Sequence, residues 1–120
     1  MTDIKTLTSE IKRILGAEIK FKSPAMQLTV PTGTATTLSA MTGFASTGFP
    51  DGYNYALVEV EDAATDGIRF WETGDAPTST VGIRRANKDI FDLEGRQSID
   101  NFKAITVGTV KLNIQFGVKS

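Results

Sequence analysis

The chain contains neither cysteine nor histidine. Without cysteine there is no disulfide framework, no thiolate nucleophile and no thiolate metal site, so packing alone must hold the domain, and the redox compartment stays open. Without histidine the commonest general base and the usual partner of a nucleophilic Ser or Cys are missing, which removes the familiar triads. Carboxylate pairs, Ser–Lys dyads and an N-terminal Thr are the chemistry left, and on that inventory the chain is not expected to be an enzyme or to carry a cofactor or metal. An excess of one charge is lacking too. Thirteen Lys and Arg face fourteen Asp and Glu, a formal net charge of -1, so no global field attracts a phosphate backbone or an anionic membrane. Nucleic acid and membrane are therefore not expected partners. Long apolar runs are also absent: the opening MTDIKTLTSEIKRILG mixes charges into its apolar pattern. It does not read as a secretion signal, and nothing later approaches membrane-spanning length. The expected setting is a cytosol, or a particle assembled there.

What is present fits one domain. At 120 residues and 40% hydrophobic, the chain can bury an ordinary core unaided. Ile4, Leu7, Ile11, Ile14 and Leu15 fall on one helical stripe that ends at Gly16, which predicts a short amphipathic helix or arm within residues 1–22. So short a helix is marginal alone, and its stripe needs either its own domain or a neighbouring subunit.

From there the period is that of strands. Ile19 and Phe21 alternate with lysines, and Leu28 and Val30 alternate with Gln27 and Thr29. Thr34 to Leu38 reads as a weak strand, and Phe49-Pro50-Asp51-Gly52 as a turn. Ala56, Val58 and Val60 alternate with Leu57, Glu59 and Glu61, predicting one apolar and one largely polar face. Asp66-Gly67 turns the chain into Ile68-Arg69-Phe70-Trp71, and Gly74, Asp75 and Pro77 shape the next loop. Short strands follow at Val81 to Ile83 and Ile90 to Leu93, with a turn at Glu94-Gly95-Arg96. Phe102 to Val107 and Thr109 to Val118 are predicted to pair as a hairpin around Gly108. The spacing of strands and turns predicts an antiparallel β-sandwich, or a barrel-like relative, over residues 23–120.

Each candidate for chemistry has a plainer counterpart. Glu59 and Glu61 share one side of a strand, as paired catalytic carboxylates would, but alternating Glu is routine on a solvated face. Asp62 and Asp66-Gly67 lack the ligand spacing of a calcium loop and read as a turn. Arg84, Arg85 and Lys88 form a basic cluster that would suit a phosphate or stacked base if Trp71, Tyr53 or Tyr55 lay beside it; otherwise it is a solvated strand end or a subunit rim. Trp71 itself suits a glycan platform, a core or an interface. The candidate contact residues are thus Trp71, Asp75, Pro77, Arg84 and Arg85 on one surface loop, with Ile4, Leu7, Ile11 and Leu15 for oligomer contact.

From Tyr53 onward the order of features resembles small β-sandwich proteins of tailed bacteriophage virions, found as capsid decoration and tail-associated modules. The features are the strand Ala56-Leu57-Val58-Glu59-Val60, then Ile68-Arg69-Phe70-Trp71, the loop Gly74-Asp75-Ala76-Pro77-Thr78-Ser79-Thr80-Val81-Gly82, and the closing segments Phe102-Lys103-Ala104-Ile105 and Leu112-Asn113-Ile114-Gln115-Phe116. About half of the chain is covered, and the first fifty residues lie outside it. The resemblance implies a homo-oligomeric, catalytically silent virion protein that contacts the major capsid protein or other virion components, with a tail, fibre or baseplate module, glycan-binding or not, as its alternative.

Overall fold

The computed structural model describes residues 18–62 and 66–120. The predicted N-terminal helix, with Ile4, Leu7, Ile11 and Leu15, lies outside the described residues. Within them the chain forms the expected antiparallel sandwich. Its strands are β1 (Ile19–Val30), β2 (Thr36–Thr37), β3 (Tyr55–Asp62), β4 (Ile68–Trp71), β5 (Ile83–Arg85), β6 (Ile90–Glu94), β7 (Lys103–Ile105) and β8 (Val110–Lys119), with a single 3-10 turn (Leu38–Ala40) after β2 and a short α-helix, α1 (Arg96–Asn101), between β6 and β7. The first sheet has the order β1-β8-β3-β6 and the second β2-β7-β4-β5.

The two N-terminal strand signals belong to one strand. Between Lys22 and Met26 the register slips: β1 takes four steps where β8 takes two, from Phe116 to Ile114. A bulge of this kind lets a strand carry Pro24, which cannot donate to the ladder, on a sheet edge. Because β1 begins at Ile19, it reaches into the segment 1–22 that the sequence assigns to the arm.

Inward residues of both sheets make the main core. Leu112, Ile114 and Phe116 of β8 meet Val60, Val58 and Ala56 of β3 across the ladder, and Phe70, Phe91 and Phe102 stack between the sheets with centroids 5.0–6.3 Å apart. Burial of this apolar surface, at roughly 25 cal/mol per Å², is the chief stabilising term in a domain without cross-links. Ile99 of α1, Leu38 and Met41 complete the core from outside the strands.

Two expectations are corrected. The closing strands are not a hairpin: β7 lies in the second sheet and β8 in the first. Thr106 is held instead beside the end of β1, where Gly33 N–H donates to its carbonyl at 2.9 Å and Thr32 Oγ1 donates to Gly108 O at 2.9 Å. These bonds carry the chain across the sandwich rather than back along it. Among the described strands, β4 and β5 alone are both consecutive and paired.

The outer face of β3 is the second correction. Leu57, expected on a largely polar face, is buried with Tyr55 and Ile19 in a separate cluster against which Phe21 and Ile90 pack. Gly117 stands opposite both Phe21 and Tyr55. With no side chain between them, the two rings meet edge-on at 6.2 Å.

Candidate functional site

Directly opposed residues of an antiparallel pair share a face. Phe70 opposes both Ala104 and Ile83 and points to the core. Its neighbours in β4 therefore point out, in two cross-strand rows. Arg84, Arg69 and Ile105 form one, and Trp71, Lys103 and Thr37 the other. Neither row contains an acidic residue.

Both arginines of the first row are positioned by backbone carbonyls. Arg69 Nη1 donates to Gly82 O at 3.0 Å, and Arg84 Nη2 donates to Asp66 O at 3.4 Å. Among the described residues none of Arg69, Arg84 and Lys103 forms an ion pair. Arg69 and Arg84 flank a cavity of about 70 Å³ whose other lining includes Asp66, Ser79, Ile105, Thr106 and Val107. The Asp66 carboxylate packs against Gly108, so close that a Cβ at position 108 would overlap it. Val107, 59% exposed, lines that cavity, whereas Ile83, 43% exposed, shares the side of Phe70 on the edge strand β5.

The loop joining β4 to β5 is tied down. Gly74 N–H donates to Asn101 O at 3.1 Å, and Thr78 N–H to Val81 O at 2.9 Å. The Thr78 hydroxyl accepts from the backbone of Thr80 and Val81. Asp75 is exposed and accepts from the Thr73 hydroxyl at 2.6 Å. Pro77 is buried and crowds the position a Cβ of Gly82 would take, so it shapes the loop instead of presenting a contact.

The predicted contact residues are therefore divided. Trp71 and Arg84 lie on one face, and Asp75 stays on the exposed loop. Arg85 turns the other way, its guanidinium 5.4 Å from the centre of the Phe91 ring. Lys88 occupies a turn with φ +74, donating its N–H to Val60 O at 2.8 Å. Thus Arg84, Arg85 and Lys88 do not make a single basic patch.

Neither tyrosine joins Trp71. Tyr55 is buried on the outward side of the first sheet, and burial first, then the nearby Asp92 carboxylate, pushes its pKa up. Tyr53 stacks on Phe49 at 4.5 Å, sits under the Arg96 guanidinium at 4.6 Å, and donates its hydroxyl to Asp100. Its pKa is pushed up to about 12, by burial and then by that carboxylate.

The carboxylate candidates adopt structural roles. Glu59 and Glu61 both accept from Asn113 Nδ2, at 3.1 and 3.3 Å, and Glu61 stands opposite Lys111. Asp62 is buried and accepts Gly67 N–H at 2.5 Å, the turn its sequence suggested. Among the described residues no group of three or more Asp or Glu is placed to hold a metal ion.

Sequence reasoning missed Arg69, Lys103, Ile105 and Val107 as members of the surface. Alternation alone puts Arg69 with Trp71 and Lys103 with Ile105. That β4 and β7 are neighbours is the part no local pattern carries. Comparison with protein-family models finds no match, and comparisons with curated proteins and with solved structures find no significant match to the chain.

Proposed function

We propose that this domain is a structural virion protein, a capsid decoration or cement protein that binds across capsomers and stiffens a phage head. The observation that carries the reading is the outer face of the second sheet, where Arg69, Arg84, Lys103 and Trp71 share one surface without an acidic neighbour in their rows. Exposed Val107, which lines the cavity beside Arg69 and Arg84, gives the region apolar area to bury against a neighbour. Such a face on a sandwich with tied loops suits repeated contact with identical sites, the affinity of each raised by attachment through several linked copies. Its mechanism is buried area with matched charge, and the partner is the major capsid protein or another virion component.

The alternative, a tail, fibre or baseplate module, keeps the half-buried Trp71 as a glycan platform. It loses Tyr55, which is buried, and Tyr53, whose ring is engaged by Phe49 and Arg96.

The test is the copy number of the chain in density-gradient-purified particles of the phage that encodes it, by quantitative mass spectrometry against the major capsid protein. Comparable numbers support decoration of the head. A few copies per particle move the protein to the tail, and its absence ends the virion reading.

A further inference from the structure

Arg69, Arg84 and Lys103 share the outer face of the second sheet, and among the described residues none of them forms an ion pair. Arg69 and Arg84 each spend a donor on a backbone carbonyl, which fixes the position of the head group and leaves its charge uncompensated. Asp66 lines the same cavity, but its carboxylate is packed onto Gly108, and Arg84 reaches the main-chain oxygen of that residue instead. Between the two arginines lies the cavity of about 70 Å³. It is large enough for a carboxylate and well below the roughly 300 Å³ at which pockets for small molecules begin. A guanidinium presents a planar fork of donors that matches a carboxylate, and such bonds strengthen as water is expelled from around them.

The surroundings narrow the class of partner. Ile105 and Val107 line the same cavity, and the net charge of -1 means the positive face is local and not the footprint of a polyanion binder. A surface that is cationic at its centre and apolar at its margin fits a protein segment of the opposite design. We propose that the outer face of the second sheet docks an acidic loop or strand of a protein partner, with one carboxylate seated between Arg69 and Arg84, a second facing Lys103, and an apolar side chain against Val107. This deepens the reading of the domain as a virion contact module and rests on it.

The experiment uses particles of the encoding phage. Water-soluble carbodiimide joins an amine to a carboxylate it already touches, so peptide mass spectrometry of treated particles reports what Lys103 faces. The expected product is an amide between Lys103 and an Asp or Glu of another virion protein. In parallel, phage carrying Arg84→Glu or Lys103→Glu are expected to hold at least tenfold fewer copies of the chain. Phage carrying Glu59→Gln with Glu61→Gln, on the outer face of the other sheet, are expected to keep the wild-type number. Purified variants are checked for unchanged melting, and Lys103→Glu serves if Arg84→Glu does not fold. Wild-type chain abundant in particles, with neither charge reversal lowering its number or with Lys103 uncoupled, overturns this inference while leaving the virion role standing. Release of the chain by nuclease would name nucleic acid as the ligand and overturn it as well. Absence of the wild-type chain from particles removes the virion role and this inference together.

Discussion

Arg85 lays its guanidinium over the Phe91 ring at 5.4 Å, while Arg84, one residue earlier, points to the opposite side of the same strand. Adjacent residues of a strand always part in this way. Read as a run, the two arginines look like one cluster; folded, one covers the edge of the core and the other faces outward.

That arrangement makes Arg85 a packing residue, and its Nε is buried without a hydrogen-bond partner. Arg85→Met keeps the length of the side chain and removes the unsatisfied donor, so its stability is expected within about 0.5 kcal/mol of wild type or higher. Arg85→Ala uncovers Phe91 and is expected to cost about 1 kcal/mol. Urea unfolding followed by Trp71 fluorescence separates the two; equal losses for both would show that charge, not cover, is what matters there.

Gly67 has φ +74, and a Cβ on it would overlap the carbonyl oxygen of Arg85. Gly67→Ala therefore meets both a left-handed backbone, costing roughly 1–2 kcal/mol for an L-residue, and a steric conflict with main chain that cannot rotate away. The expected loss is at least about 2 kcal/mol, seen as a melting temperature lower by roughly 8 °C or more. Gly33 also has positive φ but open space around its Cβ position, so Gly33→Ala is expected to cost only the backbone part. The difference between the two variants measures the conflict at β5.

Much of this fold is legible in local pattern. The alternation of Val110, Leu112, Ile114 and Phe116 is the inward face of β8, and Asp66-Gly67 does turn the chain into β4. What local pattern does not hold is which strands become neighbours, because almost every connection passes from one sheet to the other. Hence Arg69 and Lys103, thirty-four positions apart in number (103 − 69) yet joined by the β4–β7 ladder, could not be placed on one face from sequence. Trp71 and Arg84 were legible as surface candidates by residue type alone, whereas Pro77 was not legible as buried because its cover comes from the fold of its own loop.

Leu57 shows the same limit on the first sheet. By alternation it belongs with Glu59 and Glu61, yet it is buried against Ile19 and Tyr55. Truncation should thus become cheaper along one side of a single strand. Leu57→Ala is expected to cost about 2–4 kcal/mol, and Glu61→Ala, exposed at the far end, less than about 0.5 kcal/mol. Chemical denaturation of the two variants checks the gradient; a cheap Leu57→Ala would mean that the outer cluster adds little to stability.

Tyrosine ionisation offers a pH prediction. Tyr53 has its pKa pushed up to about 12 and Tyr55 is raised as well, so the folded protein holds protons that the unfolded chain releases near pH 10. More protons on the native state make stability fall as pH rises. This contribution is complete below about pH 10 and is lost progressively up to pH 12 and beyond. Ultraviolet titration of tyrosinate, with unfolding followed in parallel, is expected to show no tyrosine ionising near pH 10 while the fold is intact. Asp100→Asn removes the carboxylate partner of Tyr53 and is expected to bring its midpoint down, leaving that of Tyr55 unmoved.

Thr106 sits where the chain crosses from the second sheet to the first. Its buried hydroxyl donates to Gly67 O at 2.9 Å and accepts Gly108 N–H at 3.2 Å, joining the turn before β4 to the approach to β8. Thr106→Val preserves shape but leaves both backbone groups without that partner, and is expected to cost about 1–3 kcal/mol. Thr106→Ser keeps both bonds and loses one methyl group, roughly 1 kcal/mol. Because the hydroxyl is what closes this crossing, hydrogen exchange at Gly108 is expected to quicken in the Val variant and not in the Ser variant. Equal exchange in the two would assign the crossing to the Thr32 hydroxyl and the Gly33 backbone bond alone.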